Sequence, residues 1–203
     1  MKMLKIYPGS VNSRFIDEAV DVIRSGGIVI YPTDTLYALG CDALNNKAVE
    51  KLCRLKGINP DKQLLSVVCA SLSQAAEYAK IDNRAFAYLK EYLPGPFTFV
   101  LPASSALPKV FKGRRTVGIR IPDNPITLAL TEAAGGPLLS TSVAVDSDIY
   151  NNVDPEAIAV AYNNMADLII DGGESVAEGS TVVSLLDSAS PGIIREGKGV
   201  FEY

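Results

Sequence analysis

Three short segments set hydroxyl and carboxylate side chains beside apolar runs. The run IVIY (28–31) leads into Pro32, Thr33, Asp34 and Thr35, two hydroxyls and one carboxylate at the end of an expected strand. Open α/β sheets bind ligands outside the carboxyl ends of their strands, so this tetrad stands where a substrate would be met. The segment PLLSTS (137–142) delivers Ser140, Thr141 and Ser142, hydroxyls suited to a phosphate or a carboxylate. Ser180 and Thr181 repeat the pattern ahead of the apolar VVSLL. Each pattern equally suits a turn or cap whose side chains bond their own backbone, and spacing alone leaves both readings open.

What is missing narrows the chemistry further. The chain has 0 histidines, which removes nucleophile–histidine catalysis and histidine-ligated zinc as they are usually built. Carboxylates, lysine, arginine, hydroxyls, backbone amides or a borrowed metal remain, a set suited to positioning and charge stabilisation. Cys41, Cys53 and Cys69 are an odd number at spacings of 12 and 16; they form neither a disulfide framework nor a zinc motif and read as reduced thiols. Neither G-x-x-x-x-G-K-[ST] nor G-x-G-x-x-G occurs, so the familiar phosphate loops are excluded.

Charge is divided along the chain. The net charge is −4, yet residues 1–122 hold 17 basic and 10 acidic side chains, whereas 123–203 hold 2 and 13. Lys109, Lys112, Arg114, Arg115 and Arg120 fall within twelve residues that contain no carboxylate. Lys51, Arg54, Lys56 and Lys62 form a second cluster, offset only by Asp61. Such clusters form either a solvated face or a cationic groove for a nucleotide or an RNA backbone.

These residues need a scaffold, and the length suits one domain, 1–203, with 48% hydrophobic and 21% charged residues. No run nears the roughly 18 apolar residues of a membrane span, and no apolar stretch precedes Pro8. The expectation is therefore a cytoplasmic chain with no secretory signal and no membrane partner. Apolar periodicity predicts helices over 14–24, 46–56, 71–80, 82–93, 125–134 and 154–165. Strands are predicted over 28–31, 64–69, 97–101, 116–121, 167–170, 181–186 and 192–195. Several strands adjoin without an intervening helix, so the fold class is α/β around a mixed sheet rather than strict βαβ alternation.

Taken in order, GGIVIYPTDTLYALGCDA, LPGPFTFVLP, VGIRIPDN, PLLSTS, DGG, GSTVV and IIREG resemble the YrdC/YciO family over about residues 15–197. That family includes the threonylcarbamoyl-AMP synthases of tRNA modification. The resemblance implies a single α/β domain, its twisted mixed parallel/antiparallel sheet flanked by helices, with a concave basic cavity. It implies ATP as substrate, Mg²⁺ carried in with it, L-threonine and bicarbonate as further substrates, and no tightly bound cofactor or resident metal. The threonylcarbamoyl-adenylate would serve N6-threonylcarbamoyladenosine formation in tRNA. Residue by residue, it implies Lys56 as a catalytic lysine near phosphates and bicarbonate. Thr33, Thr35, Arg120, Ser140 and Thr141 would hold the substrate, with Arg120 clamping its carboxylate. Ser142, Ser180, Thr181 and Arg195 would surround the nucleotide, and Lys62 could add charge there.

Four positions depart from the synthase pattern. Ile58 replaces the arginine of K-x-R, Ala144 the asparagine of S-x-N, Cys69 a histidine and Ala38 a glycine. These departures resemble the YciO branch. They leave a second expectation, a non-catalytic paralogue that binds double-stranded RNA, tRNA or a nucleotide.

Overall fold

The computed structural model describes residues 1–59, 63–107, 115–143 and 153–202. Its strands are β1 (Lys2–Lys5), β2 (Val29–Tyr31), β3 (Ala38–Asp42), β4 (Ser66–Val68), β5 (Phe97–Pro102), β6 (Thr116–Arg120), β7 (Leu138–Ser142), β8 (Leu168–Asp171), β9 (Thr181–Ser184) and β10 (Gly192–Arg195). The helices among the described residues are α1 (Ser13–Arg24), α2 (Asn46–Lys56), α3 (Leu72–Tyr78), α4 (Asn83–Tyr92), α5 (Pro125–Ala134) and α6 (Pro155–Ala161).

The strands join in one sheet of order β1-β8-β2-β3-β7-β4-β6-β5-β9-β10. The pairs β1/β8, β2/β8, β4/β6 and β5/β9 are parallel, and the remaining neighbours antiparallel. This is the expected single α/β domain with a mixed sheet. Residues 2–5 and 38–42, which carry little strand pattern, are nevertheless strands. β3 (ALGCD) includes Ala, Gly and Asp, poor strand formers, and has no β-branched or aromatic residue; it is held in place by ladders to β2 and β7 on its two sides.

The period of two along each strand sends alternate side chains to opposite faces. Val29 and Tyr31 join Ala38, Val68, Leu138, Leu168 and Ile170 against the apolar stripes of α1 (Ile16, Ala19, Val20, Ile23) and α5 (Ile126, Leu130). Ile30, Leu39, Val67, Leu139 and Ile169 face the other way, into a larger core that takes in Leu52 of α2, Ala75 of α3, Leu89 of α4 and Ile158 of α6. Side-chain caps fix the helix starts, among them Asn12 on α1 and Asn124, followed by Pro125, on α5. α2 stops at Gly57, whose φ of 62° suits glycine, and the chain doubles back with Ile58 N bonded to Cys53 O at 2.8 Å. No helix among the described residues is long and apolar enough to cross a membrane.

Candidate functional site

The helices α1 and α5 cover only part of their sheet face. Further along the same face, register and alternation bring forward Ser140 and Ser142 of β7, Ser66 of β4, Arg120 of β6, Thr98 of β5 and Val182 of β9. These are small or polar side chains, and over them lies a cavity of about 220 Å³. Thr141, Ser180 and Arg195 also line it, and Leu52, Cys53, Ile58 and Leu64 give it an apolar side. The sheet stays low here partly because Gly118 has no side chain. A Cβ on Gly118 would stand 2.4 Å from Ser66 Oγ and 3.2 Å from Thr98 Cγ2.

Arg120 is the most unusual residue of the cavity. It ends β6 and is only 6% exposed. Its Nη2 donates to Asp34 Oδ1 at 2.8 Å, Thr35 Oγ1 at 2.6 Å and Thr33 Oγ1 at 3.2 Å. Thr33 donates its own hydroxyl hydrogen to Leu36 O at 2.7 Å, which leaves its oxygen as an acceptor towards Arg120 and Thr35 N. Asp34 Oδ2 accepts the Asp123 N–H at 3.0 Å, so both carboxylate oxygens are engaged. Burial pushes the Arg120 guanidinium below its ordinary value, and Asp34 opposes that shift through charge and hydrogen bonding. One guanidinium nitrogen thus carries all three contacts. Nε is buried without a partner among the described residues. A buried N–H left unpaired costs about 1–3 kcal/mol, a cost that an acceptor atom from a ligand would remove.

The neighbouring hydroxyls are held as firmly. Tyr31 is fully buried and donates to Ser140 Oγ at 2.9 Å, reaching across β3 where Gly40 leaves room. A Cβ on Gly40 would lie 2.6 Å from Tyr31 Cε1. Burial pushes the Tyr31 phenol up to about 12, so it stays protonated and a donor at neutral pH. Thr98 and Ser180 share a hydrogen bond of 2.8 Å, and Arg195 Nη2 donates to Ser180 O at 2.8 Å.

A scan against protein families matches the Sua5/YciO/YrdC model, described as "Telomere recombination", to residues 21–197. The chain belongs to this family. It is 39% identical to YciO of Escherichia coli K12 over 196 residues, covering 96% of this chain and 94% of the relative. The crystal structure of E. coli YciO superposes with a TM-score of 0.91 at 37% identity, covering 98% of each chain. The chain is also 35% identical to a threonylcarbamoyl-AMP synthase of Pyrococcus abyssi, over 88% of this chain and 53% of the synthase. The structure of P. abyssi Sua5 complexed with L-threonine matches with a TM-score of 0.87 at 31% identity, over 97% of this chain and 58% of that one. The chain therefore spans little more than half of those longer proteins.

Of the site residues expected from the sequence, Thr33, Thr35 and Arg120 form one bonded cluster, and Ser140, Thr141, Ser142, Ser180 and Arg195 line the cavity beside it. Two are placed otherwise. Lys56 is not among the lining residues, because its ammonium is drawn to Tyr162, 3.4 Å from the hydroxyl and 6.0 Å from the ring centroid. The hydroxyl of Thr181 donates to Gly199 O at 2.6 Å and accepts from Gly197 N at 3.0 Å, so it fastens the C-terminal tail. Lys62 and Ala144 lie outside the described residues, as do Lys109, Lys112 and Arg114. Sequence reasoning passed over Thr98 and Ser66, and it gave Asp34 no part in holding Arg120. The available signal was a single polar residue set at the alternate position of an otherwise apolar strand, in FTFVL and LLSVVC.

Proposed function

We propose that the cavity seats an amino-acid carboxylate on Arg120 and that the protein is threonylcarbamoyl-AMP synthase-like. In this reading L-threonine, bicarbonate and ATP give a threonylcarbamoyl, or closely related carbamoyl, adenylate and pyrophosphate. The observation that carries it is the buried Arg120 guanidinium with an unpartnered Nε at the wall of a hydroxyl-lined cavity. A carboxylate matches a guanidinium in charge and in planar geometry. Membership of a family containing threonylcarbamoyl-AMP synthases supports the reaction class.

The amine nitrogen bonds to the carbon of bicarbonate with loss of water, or of CO₂ with release of a proton. An oxygen of the resulting carbamate then attacks the α-phosphorus of ATP as the bond to pyrophosphate breaks. Such chemistry calls for alignment and charge neutralisation more than for a histidine base. Arg120 would fix the amino acid, while Ser140, Ser142, Ser180 and Arg195 would face the acyl and phosphoryl oxygens. Mg²⁺ would enter with ATP and offset phosphate charge. The product would supply tRNA modification.

The test is pyrophosphate release from ATP–Mg²⁺ with threonine and bicarbonate supplied singly and together. Release that requires both is the expected result, and a folded protein that releases none under any combination contradicts it. One observation favours a second reading: Ile58 lines the cavity where the synthase motif carries arginine. A non-catalytic paralogue binding a nucleotide, tRNA or double-stranded RNA would show nucleotide binding without turnover, or RNA affinity that falls steeply with salt.

A further inference from the structure

The loop that bears Thr33, Asp34 and Thr35 is held by its carbonyl groups as well as by Arg120. Thr127 Oγ1 donates to Pro32 O, Asn124 Nδ2 to Thr33 O at 3.4 Å and Thr33 Oγ1 to Leu36 O at 2.7 Å. The Asp34 carbonyl is taken by a residue from a different region, Lys198, whose Nζ donates to it at 2.6 Å. This is the one cation bonded to a carbonyl of the loop among the described residues, and it lies 164 positions away in the chain.

Lys198 is itself anchored to the other side of the cavity. Its backbone N–H donates to Gly179 O at 2.9 Å, next to Ser180. Its neighbours Gly197 and Gly199 are both tied to Thr181 Oγ1. The fit leaves no room for larger residues at these two positions. A Cβ on Gly197 would lie 2.4 Å from Gly179 O, and one on Gly199 would lie 2.5 Å from the Phe97 ring. Beyond them Phe201 packs among Tyr88, Tyr92 and Phe99, and Glu202 N donates to Tyr92 Oη at 3.2 Å.

We infer that Lys198 is a positioning residue: its ammonium, carried on a tail clamped to β9, sets the Thr33–Asp34–Thr35 loop at a fixed distance from Ser180. The arrangement joins the Arg120 side of the cavity to the Ser180–Arg195 side. A loop displaced at Asp34 carries the carboxylate that orients Arg120, so losing the ammonium loosens the guanidinium without touching it. The consequence for ligand binding rests on the proposed function, whereas the mechanical coupling does not.

The test compares the full chain with Lys198→Met and Lys198→Arg, following amide hydrogen exchange by NMR and L-threonine binding by calorimetry. In Lys198→Met the amides of Thr35 and Asp123, which report on the loop and on the Asp34 carboxylate, should exchange about tenfold faster, the size expected for one exposed charge-assisted bond. Val183 and Ile193, in β9 and β10, should keep their protection, and Lys198→Arg should restore the loop. Unchanged exchange at Thr35 and Asp123 overturns the inference, as does equal acceleration throughout β9 and β10. Threonine affinity should fall about tenfold in Lys198→Met and recover in Lys198→Arg; equal affinity in the wild type and Lys198→Met overturns the inference. If exchange responds as expected but the wild type binds no threonine, the positioning inference stands and the functional reading fails.

Discussion

Replacing Asp34 by asparagine changes the central ion pair with almost no change in volume. The carboxylate and the guanidinium are 2.8 Å apart, and the two side chains are 6% and 8% exposed. Asp34 uses one oxygen for Arg120 and the other for the Asp123 N–H. An amide cannot serve both partners, because whichever way it turns, its NH₂ group faces a donor. The variant therefore loses the countercharge and one hydrogen bond, and leaves a buried guanidinium uncompensated. Breaking a buried pair in this way costs about 3–5 kcal/mol. With a urea m-value near 2 kcal/mol/M, the midpoint should fall by roughly 2 M. Each kcal/mol should lower Tm by about 2–4 °C for a domain of this size. Urea unfolding followed by circular dichroism at pH 7 measures the loss directly. A double variant that also carries Arg120→Met should recover part of it, because the stranded charge is gone. A loss below about 1 kcal/mol at an unchanged m-value would refute the reasoning, since it would mean that water or another group compensates Arg120.

Gly40→Ala should cost about 1–3 kcal/mol through overpacking against the Tyr31 ring and should disturb the Tyr31–Ser140 bond; a urea midpoint within error of wild type would contradict this. Alkaline pH should destabilise the protein. Burial raises Cys41 and Cys69 from 9.0 to about 12 and Tyr31 from 10.0 to about 12. The native state then keeps protons that the unfolded chain gives up, so this stability is whole below pH 9 and is lost as pH climbs towards 12. Unfolding free energies from urea titrations at pH 8 and 10.5 should differ by about 1–2 kcal/mol per thiol, a midpoint shift of roughly 0.5–1 M each, and equal midpoints would count against the burial argument. Ile58→Arg places a cation on the apolar side of the cavity and should tighten ATP–Mg²⁺ binding about tenfold or more, the value of one charge-assisted contact. Calorimetry showing no gain would mean that the phosphates do not approach this wall.

Much of the scaffold could be read from patterns of apolar residues. α1, α2 and α5 carry clear helical stripes and cap residues, and their expected ranges lie within a residue of those observed. β1 and β3 could not be read in this way. KMLK shows one buried position in four, and ALGCD lacks the β-branched and aromatic residues that mark a strand. Both exist because the sheet offers partners, a tertiary cause with no local signature. The same holds for the site. Thr33, Ser140 and Ser180 were visible as hydroxyls beside apolar runs, yet the order that places β7 between β3 and β4 is not written in any segment. Ser140, Thr141 and Ser142 lie within β7, so Ser140 and Ser142 share the cavity face by alternation. Arg120 meets Asp34 from 86 positions away, and Lys56 is diverted by Tyr162 from 106 positions away. Pairings over such separations follow from topology, and topology sets which hydroxyls line the cavity and which, like Thr181, fasten the chain at Gly197 and Gly199.

The claim that Arg120 is the carboxylate-binding group is tested most directly by calorimetric titration of L-threonine into the wild type and into Arg120→Lys. Lysine keeps the charge but loses the fork and the Nε–H. Threonine should bind the wild type and bind Arg120→Lys at least about tenfold more weakly, as expected when a charge-assisted bond worth about 1.5–3 kcal/mol is removed. Equal affinity for both proteins, or no heat from a folded wild type, would contradict it.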